Sequence, residues 1–369
     1  MRNTNRHFFS GPGMPTSVRR FPKHELTAVG LLWMALTAVR VGAQAQAIPV
    51  SPAPDLLGTE PCPFAGLLET ARPAPVSAEE RTRTAETFGE WSPPVNVGPP
   101  LNTAYNDNYA VLSRNQLTIY FTSDRPGGFG GDDLWFATRE SVDSLWEEPQ
   151  NMGAAINTDA ADSLAVLSSN EHVMYFHSTR DGGYGQGDIW MTRRRNKHSD
   201  WEEPTNLGRV LNTPAVEIAP AFFKDPETEQ ATLFYGSDRP GGIGDFDVYA
   251  SPLGEDGSVG PGMLVCELSS TGRDTRIFIR KDGLEAFVTT NRAGGQGRID
   301  IWVSTREMLS DPWSVPVDLG RPVNSEFDDG SPWLSRDGTT LYFFSTRPGG
   351  GYGKRDIWYT TRVRRDGGV

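Results

Sequence analysis

The sequence predicts an all-β protein, a five-bladed β-propeller of four-stranded antiparallel blades. One unit of strand, glycine hairpin and strand occurs five times. A second signature, Trp-x-x-Pro-x-Asn-Leu-Gly, is interleaved with it. The composition fits short strands joined by tight turns, with 40 Gly, 28 Pro, 18 Phe, 10 Trp and 10 Tyr in 369 residues. A charged content of 22% beside so many aromatic rings excludes a coiled coil and argues against a disordered chain. A net charge of −12 makes nucleic acid and anionic membranes poor partners, because like charges repel.

In chain order, residues 1–47 read as a secretory leader. Arg19, Arg20 and Lys23 precede an apolar run from Leu26 to Val39, and a small-residue series, Ala43-Gln44-Ala45-Gln46-Ala47, closes it. The run is shorter than the ~20 residues a membrane span requires. Met14 is an alternative start. The expected location is therefore periplasmic or extracellular. Residues 48–90, rich in Pro, Ala, Glu and Thr without apolar periodicity, read as a flexible linker. The two cysteines, Cys62 and Cys266, lack the spacing of a disulfide framework, although export would allow them to pair.

From residue 91 to 362 the repeat dominates. "LTIYFTSDRPGGFGGDDLWFATR" is followed by "VMYFHSTRDGGYGQGDIWMTR", "TLFYGSDRPGGIGDFDVYAS", "EAFVTTNRAGGQGRIDIWVSTR" and "LYFFSTRPGGGYGKRDIWYTTR". The closing acids, Asp133, Asp188, Asp247, Asp300 and Asp356, fall 53 to 59 residues apart. In the second unit, Ser163–Ser168 reads as a first strand and His172–Ser178 as an alternating, β-branched and aromatic second strand. A glycine hairpin tolerant of positive φ follows, then Asp188–Arg193 as a third strand. The segment "WEEPQNMG" reads as an outer strand, where proline is tolerated at an edge. Four antiparallel strands at this period make a propeller blade.

The outer-strand signature spans Trp91–Gly98, Trp146–Gly153, Trp201–Gly208 and Trp313–Gly320, and it is lost from "GSVGPGMLVCEL". Its first copy stands alone, and the last unit stops after a third strand near Arg362. The N-terminal strand is thus expected to complete the last blade and hide its edge. Residues 363–369 are expected to be a flexible tail.

The pattern "LSRDGTTLYFFSTRPGGGYGKRDIW" at Leu334–Trp358 resembles the TolB-type, WD40-like propeller repeat of bacterial exported proteins. The resemblance covers about residues 91–362. It implies a binding scaffold, and the expected function is a non-catalytic module that recognises a protein or glycan through the channel-mouth face.

Groups that recur in every unit shape the blade, whereas a catalytic group need appear only once. The repeated Ser-x-Arg with its closing Asp (Ser123, Arg125 and Asp133 in the first unit) is expected to hold the glycine loop, and the Trp of "DIW" to pack between blades. A second acid opens each unit's first strand: Asp107, Asp162, Glu217, Asp274 and Asp329. Were that strand to line the channel, these acids would ring one mouth. They would offer a site for a hydroxyl-rich ligand or a cation such as Ca²⁺, with no other cofactor expected. The hairpin tips carry Phe129, Tyr184, Ile243, Gln296 and Tyr352, and Phe129, Tyr184 and Tyr352 are candidates for sugar stacking. Zinc-binding, Walker and nucleophile-elbow motifs are absent. The alternative function is a glycoside hydrolase of the five-bladed arabinanase kind, with Asp107, Asp162 and Glu217 as channel carboxylates.

Overall fold

The computed structural model describes residues 87–348 and 352–365. The expected leader, all but the last four residues of the expected linker, and Cys62 with its pairing to Cys266 lie outside them. Five sheets form the propeller, and helix is nearly absent. Blade 1 comprises β3 (Asp107–Leu112), β4 (Thr118–Ser123), β5 (Asp133–Thr138) and β6 (Gln150–Asn151). Blade 2 comprises β7 (Asp162–Leu167), β8 (Val173–Ser178), β9 (Asp188–Arg193) and β10 (Thr205–Asn206). Blade 3 holds β11 (Glu217–Lys224), β12 (Ala231–Ser237), β13 (Asp247–Leu253) and β14 (Met263–Leu264). Blade 4 holds β15 (Asp274–Ile279), β16 (Glu285–Thr290), β17 (Asp300–Thr305) and β18 (Val317–Asp318).

Blade 5 draws on both ends of the described chain. Its strands β19 (Asp329–Leu334), β20 (Thr340–Ser345) and β21 (Asp356–Arg365) are completed by β2 (Val95–Asn96), in register Val95↔Tyr359 and Asn96↔Trp358. A strand not anticipated from the sequence, β1 (Thr87–Trp91), pairs with the far end of β21, Thr87 opposite Arg365. There the Arg362 guanidinium lies over the rings of Phe88 (3.9 Å) and Trp91 (4.5 Å) and reaches the buried Glu285 carboxylate at 2.7 Å.

Two details differ from the sequence reading. The "WEEPQNMG" strand closes blade 1, because Trp135 faces Asn151; the outer strand of blade 2 comes from Trp201–Gly208. Where the signature is lost, a two-residue outer strand still forms, Tyr249 opposite Leu264. The signature is therefore not needed for pairing. It carries the Trp on which a third-strand Arg stacks, as Arg139 does on Trp146, Arg194 on Trp201 and Arg306 on Trp313, all within 4.3 Å. Blade 3 has Leu253 where the others have this Arg, so both halves of the pair are missing together.

The apolar core is divided among the seams. One cluster joins blades 5 and 1 (Leu101, Phe121, Trp135, Trp333, Ile357), and a comparable cluster fills each of the other four seams. Each large side chain buried in a seam contributes about 1.5–3 kcal/mol. Backbone hydrogen bonds stitch the hub. The amide of each first-strand acid donates to the carbonyl preceding the closing acid of the blade before it, Asp162 to Asp132 (2.7 Å), Glu217 to Gly187, Asp274 to Phe246, Asp329 to Ile299, and Asp107 back to Arg355 (2.8 Å). The last bond closes the circle. Among the described residues no helix is long and apolar enough to cross a membrane.

Candidate active site at the hub

The five first-strand acids do not form an open rim. Asp107, Asp162, Glu217, Asp274 and Asp329 are each 0% exposed, and each is ion-paired to an Arg of its own blade: Arg125, Arg180, Arg239, Arg292 and Arg347, at 2.5 to 3.1 Å. A Thr or Ser four residues upstream supplies two more donors. Thr103 gives Asp107 its amide (2.6 Å) and hydroxyl (2.7 Å), and Thr213 does the same for Glu217. With their lone pairs taken by fixed donors, these carboxylates are blade fasteners, not a mouth that could gather a cation. The separate partners also correct the expected loop clamp, since the Arg binds the first-strand acid rather than the closing one. Arg125 then stacks on Trp135 at 5.4 Å, and Arg180 on Trp190 at 5.1 Å. Among the described residues no group of three or more His, Cys, Asp or Glu side chains is arranged to hold a metal ion.

The closing acids hold the hairpins unaided by Arg. Asp133 accepts from the Phe129 amide (2.6 Å), Asp188 from Tyr184 (2.6 Å) and Asp356 from Tyr352 (2.7 Å). An outer-strand Asn adds a third donor in three blades: Asn151 to Asp133, Asn206 to Asp188 and Asn96 to Asp356. The hairpin tips so fixed point outward. Phe129 is 50%, Tyr184 40% and Tyr352 52% exposed, so the candidate stacking rings are on the surface, with Arg209 lying over Tyr184 at 5.0 Å. Beside blade 2 an open groove of about 850 Å³ runs between Thr158, Asp159, Asp181 and Glu203.

What distinguishes the hub is the set of residues that do not repeat. The third position of the inner strand is Tyr109, Leu164, Ala219, Arg276 and Ser331 in blades 1 to 5. Four of these sit at a bulge with φ between 54° and 60°. Arg276 does not, because the bulge of blade 4 falls one residue earlier, between Asp274 and Arg276. Its neighbour in blade 3 explains the shift. At the position held by Thr122, His177, Thr289 and Phe344 elsewhere, blade 3 has Gly236, and a Cβ there would lie 2.5 Å from the Thr275 carbonyl oxygen. Thr122 and Thr289 instead catch the bulge amides of Leu164 and Ser331 with their hydroxyls.

A charged cluster occupies the hairpin end of the hub. Asp132 lies on the seam of blades 1 and 2, fixed by its carbonyl bond to the Asp162 amide. No hydrogen-bond donor among the described residues reaches its carboxyl. Burial raises its pKa above the ordinary carboxyl value, the nearby Asp124 raises it further, and Arg355 opposes both. Asp124 is in the reverse situation, since it accepts from the Asn106 amide and side-chain amide at 2.7 Å each. Arg355 extends toward Tyr109, its Nη1 3.4 Å from the phenol oxygen. Sequence reasoning missed Asp132 because it adjoins a repeated acid; the signal was that this position is Gly, Phe, Ile or Arg in the other blades.

No family model and no curated relative matches the chain. Solved structures do resemble it. It is similar to a thermostable family-43 glycoside hydrolase, with 14% identity, TM-score 0.47, 73% of this chain and 94% of that one covered. It is similar to the endo-arabinase of Bacteroides thetaiotaomicron VPI-5482, with 13% identity, TM-score 0.49, 77% and 100% covered. It is also similar to an α-L-arabinofuranosidase from Podospora anserina in complex with cellotriose, with 12% identity, TM-score 0.48, 76% and 98% covered. The propeller expected from the sequence is present, but these neighbours are glycoside hydrolases, not TolB-type proteins. The expectation of a non-catalytic binding module is corrected on this finding. At such identity the likeness reaches no further than the fold, so chemistry has to be argued from this chain's own residues.

Proposed function

We propose that this chain is a glycoside hydrolase of the five-bladed propeller type, acting on a glycan at the hairpin end of its hub. The observation that carries the reading is Asp132, a carboxyl free of hydrogen-bond donors and pushed toward its protonated form by burial, next to an Asp124 carboxyl that accepts two bonds from Asn106. Glycosidic cleavage requires such a division of labour: one carboxylic acid protonates the departing oxygen, and a second, ionised carboxylate acts as base or nucleophile. Asp132 takes the acid role and Asp124 the other. Asp107, Asp162 and Glu217 are left out of the chemistry, because their buried ion pairs leave them no access to a substrate. The exposed Phe129, Tyr184 and Tyr352 supply flat faces on which sugar rings stack. The exported location expected from residues 1–47 belongs to this proposal, since it places the enzyme where glycan is met.

The test is a panel of aryl glycosides and polysaccharides, arabinan and xylan among them, with product analysis. Asp132→Asn is expected to lower turnover by about 10²–10⁴-fold, the usual contribution of a general acid, with an unchanged melting temperature. Full turnover by Asp132→Asn on a substrate the parent cleaves would remove the assignment.

A further inference from the structure

We infer that Arg276 is the receptor for a carboxylate on the glycan, so that the hub binds an acidic sugar unit. The inference rests on the hydrolase reading above, and names the substrate class for that same hub. Arg276 stands apart from the other buried arginines. Arg125, Arg180, Arg239, Arg280, Arg292, Arg347 and Arg362 each meet a carboxylate, and Arg194 and Arg306 meet backbone carbonyls and aromatic faces. Arg276 is 4% exposed, yet its Nε and Nη1 are buried without a hydrogen-bond acceptor. An uncompensated buried guanidinium costs several kcal/mol, and a chain keeps one where something else supplies the acceptor.

Its position says where that acceptor comes from. The protein group acting on its charge is the Tyr109 phenol of blade 1, and blade 5 lies between blades 1 and 4, so the two residues face each other across the hub. Burial brings its pKa down only to about 10, which leaves it cationic at neutral pH. A planar fork of N–H donors matches a carboxylate, and at a hub that takes a glycan the ligand carrying both a carboxylate and hydroxyl groups meets it. A sugar acid has both; a neutral pentose leaves the guanidinium unmet.

Calorimetric titration of the full chain with D-glucuronate, D-galacturonate, D-glucose and acetate tests this. At least one uronate is expected to bind tenfold or more tighter than D-glucose and acetate, and Arg276→Met to abolish that binding. Equal affinity for acetate would reduce the site to one for simple anions and overturn the sugar-acid assignment, as would uronate binding unchanged in Arg276→Met. Should Arg276→Met fail to fold, Arg276→Lys keeps the charge without the fork and is expected to weaken binding at least tenfold; unchanged affinity there overturns the inference. Unliganded Arg276→Met is expected to melt no lower than the parent, and a fall of several degrees would show a structural partner and overturn it. Uronate binding by a parent that cleaves no glycan would remove the hydrolase assignment and leave this one standing, and glycan cleavage without uronate binding would do the reverse, so the two are read separately.

Discussion

Asp300 in blade 4 lacks the outer-strand Asn that serves its counterparts; Asp318 stands in that place. The Asp318 carboxylate keeps the structural bonds of the missing Asn, accepting from the Gly320 amide and Asn324 Nδ2, and its second oxygen takes the Gln296 side chain at 2.8 Å. It therefore presents a negative charge to Asp300 where an amide donor belongs. Burial first, and then Asp318 and Asp329, push the Asp300 pKa from 3.8 up to about 6. At about 1.4 kcal/mol per unit, the shift sets an upper bound of roughly 3 kcal/mol on the penalty for ionising Asp300, and solvent screening leaves about 1 kcal/mol as the order of magnitude that removing the Asp318 charge recovers. Asp318→Asn is thus expected to stabilise the fold by about 1 kcal/mol at pH 7, or about 2–4 °C in melting temperature. Because folded Asp300 holds its proton more tightly than the unfolded chain does, the parent loses stability as pH rises from about 4 to about 6. The advantage of the variant opens over that window, is complete above it, and closes below about 4. Thermal melts of both proteins from pH 4 to pH 8 measure it. A gain that is absent at pH 7, or equal at pH 4 and pH 7, would refute the reasoning.

The first-strand acids and their arginines should behave as structural pairs. Arg125→Met leaves Asp107 buried and uncompensated, and is expected to cost about 3–5 kcal/mol by denaturant titration, with soluble protein lost in the extreme. Replacing Phe129, Tyr184 and Tyr352 together by Ala should leave the melting temperature within about 2 °C, because exposed side chains contribute little to stability. The same triple variant should raise KM for a polymeric glycan while leaving kcat on a small aryl glycoside unchanged.

Much of the fold is legible in the sequence because a repeat announces itself five times. The phase of the Trp–Pro–Asn–Gly signature foretells that Val95 and Asn96 complete the blade of Trp358 and Tyr359. The partner of each repeated Arg is not legible in the same way. Arg125 stands eight residues before Asp133 and 18 after Asp107, and only the register Asp107↔Ser123 brings it against the more distant acid. The candidate site was hidden for the opposite reason. Asp132 and Arg276 do not repeat, and attention to recurring residues passes over both. The backbone at Arg276 depends on a one-residue displacement of a bulge opposite Gly236, an event that no pattern of side chains in blade 4 reports.

The strand pairing that joins residues 87–96 to 356–365 also orders events during synthesis. Four blades can assemble while the ribosome is still adding residues, but the seam between blades 5 and 1 has only part of its second wall, Trp333 and Tyr342, until Asp356–Arg365 emerges. Until then Leu101, Phe121 and Trp135 lack the cover of Ile357, and blade 5 lacks the strand on which Val95 and Asn96 pair. The final ten strand residues therefore complete the ring: a chain cut short before them would retain most of its sheets with the last seam left unfinished.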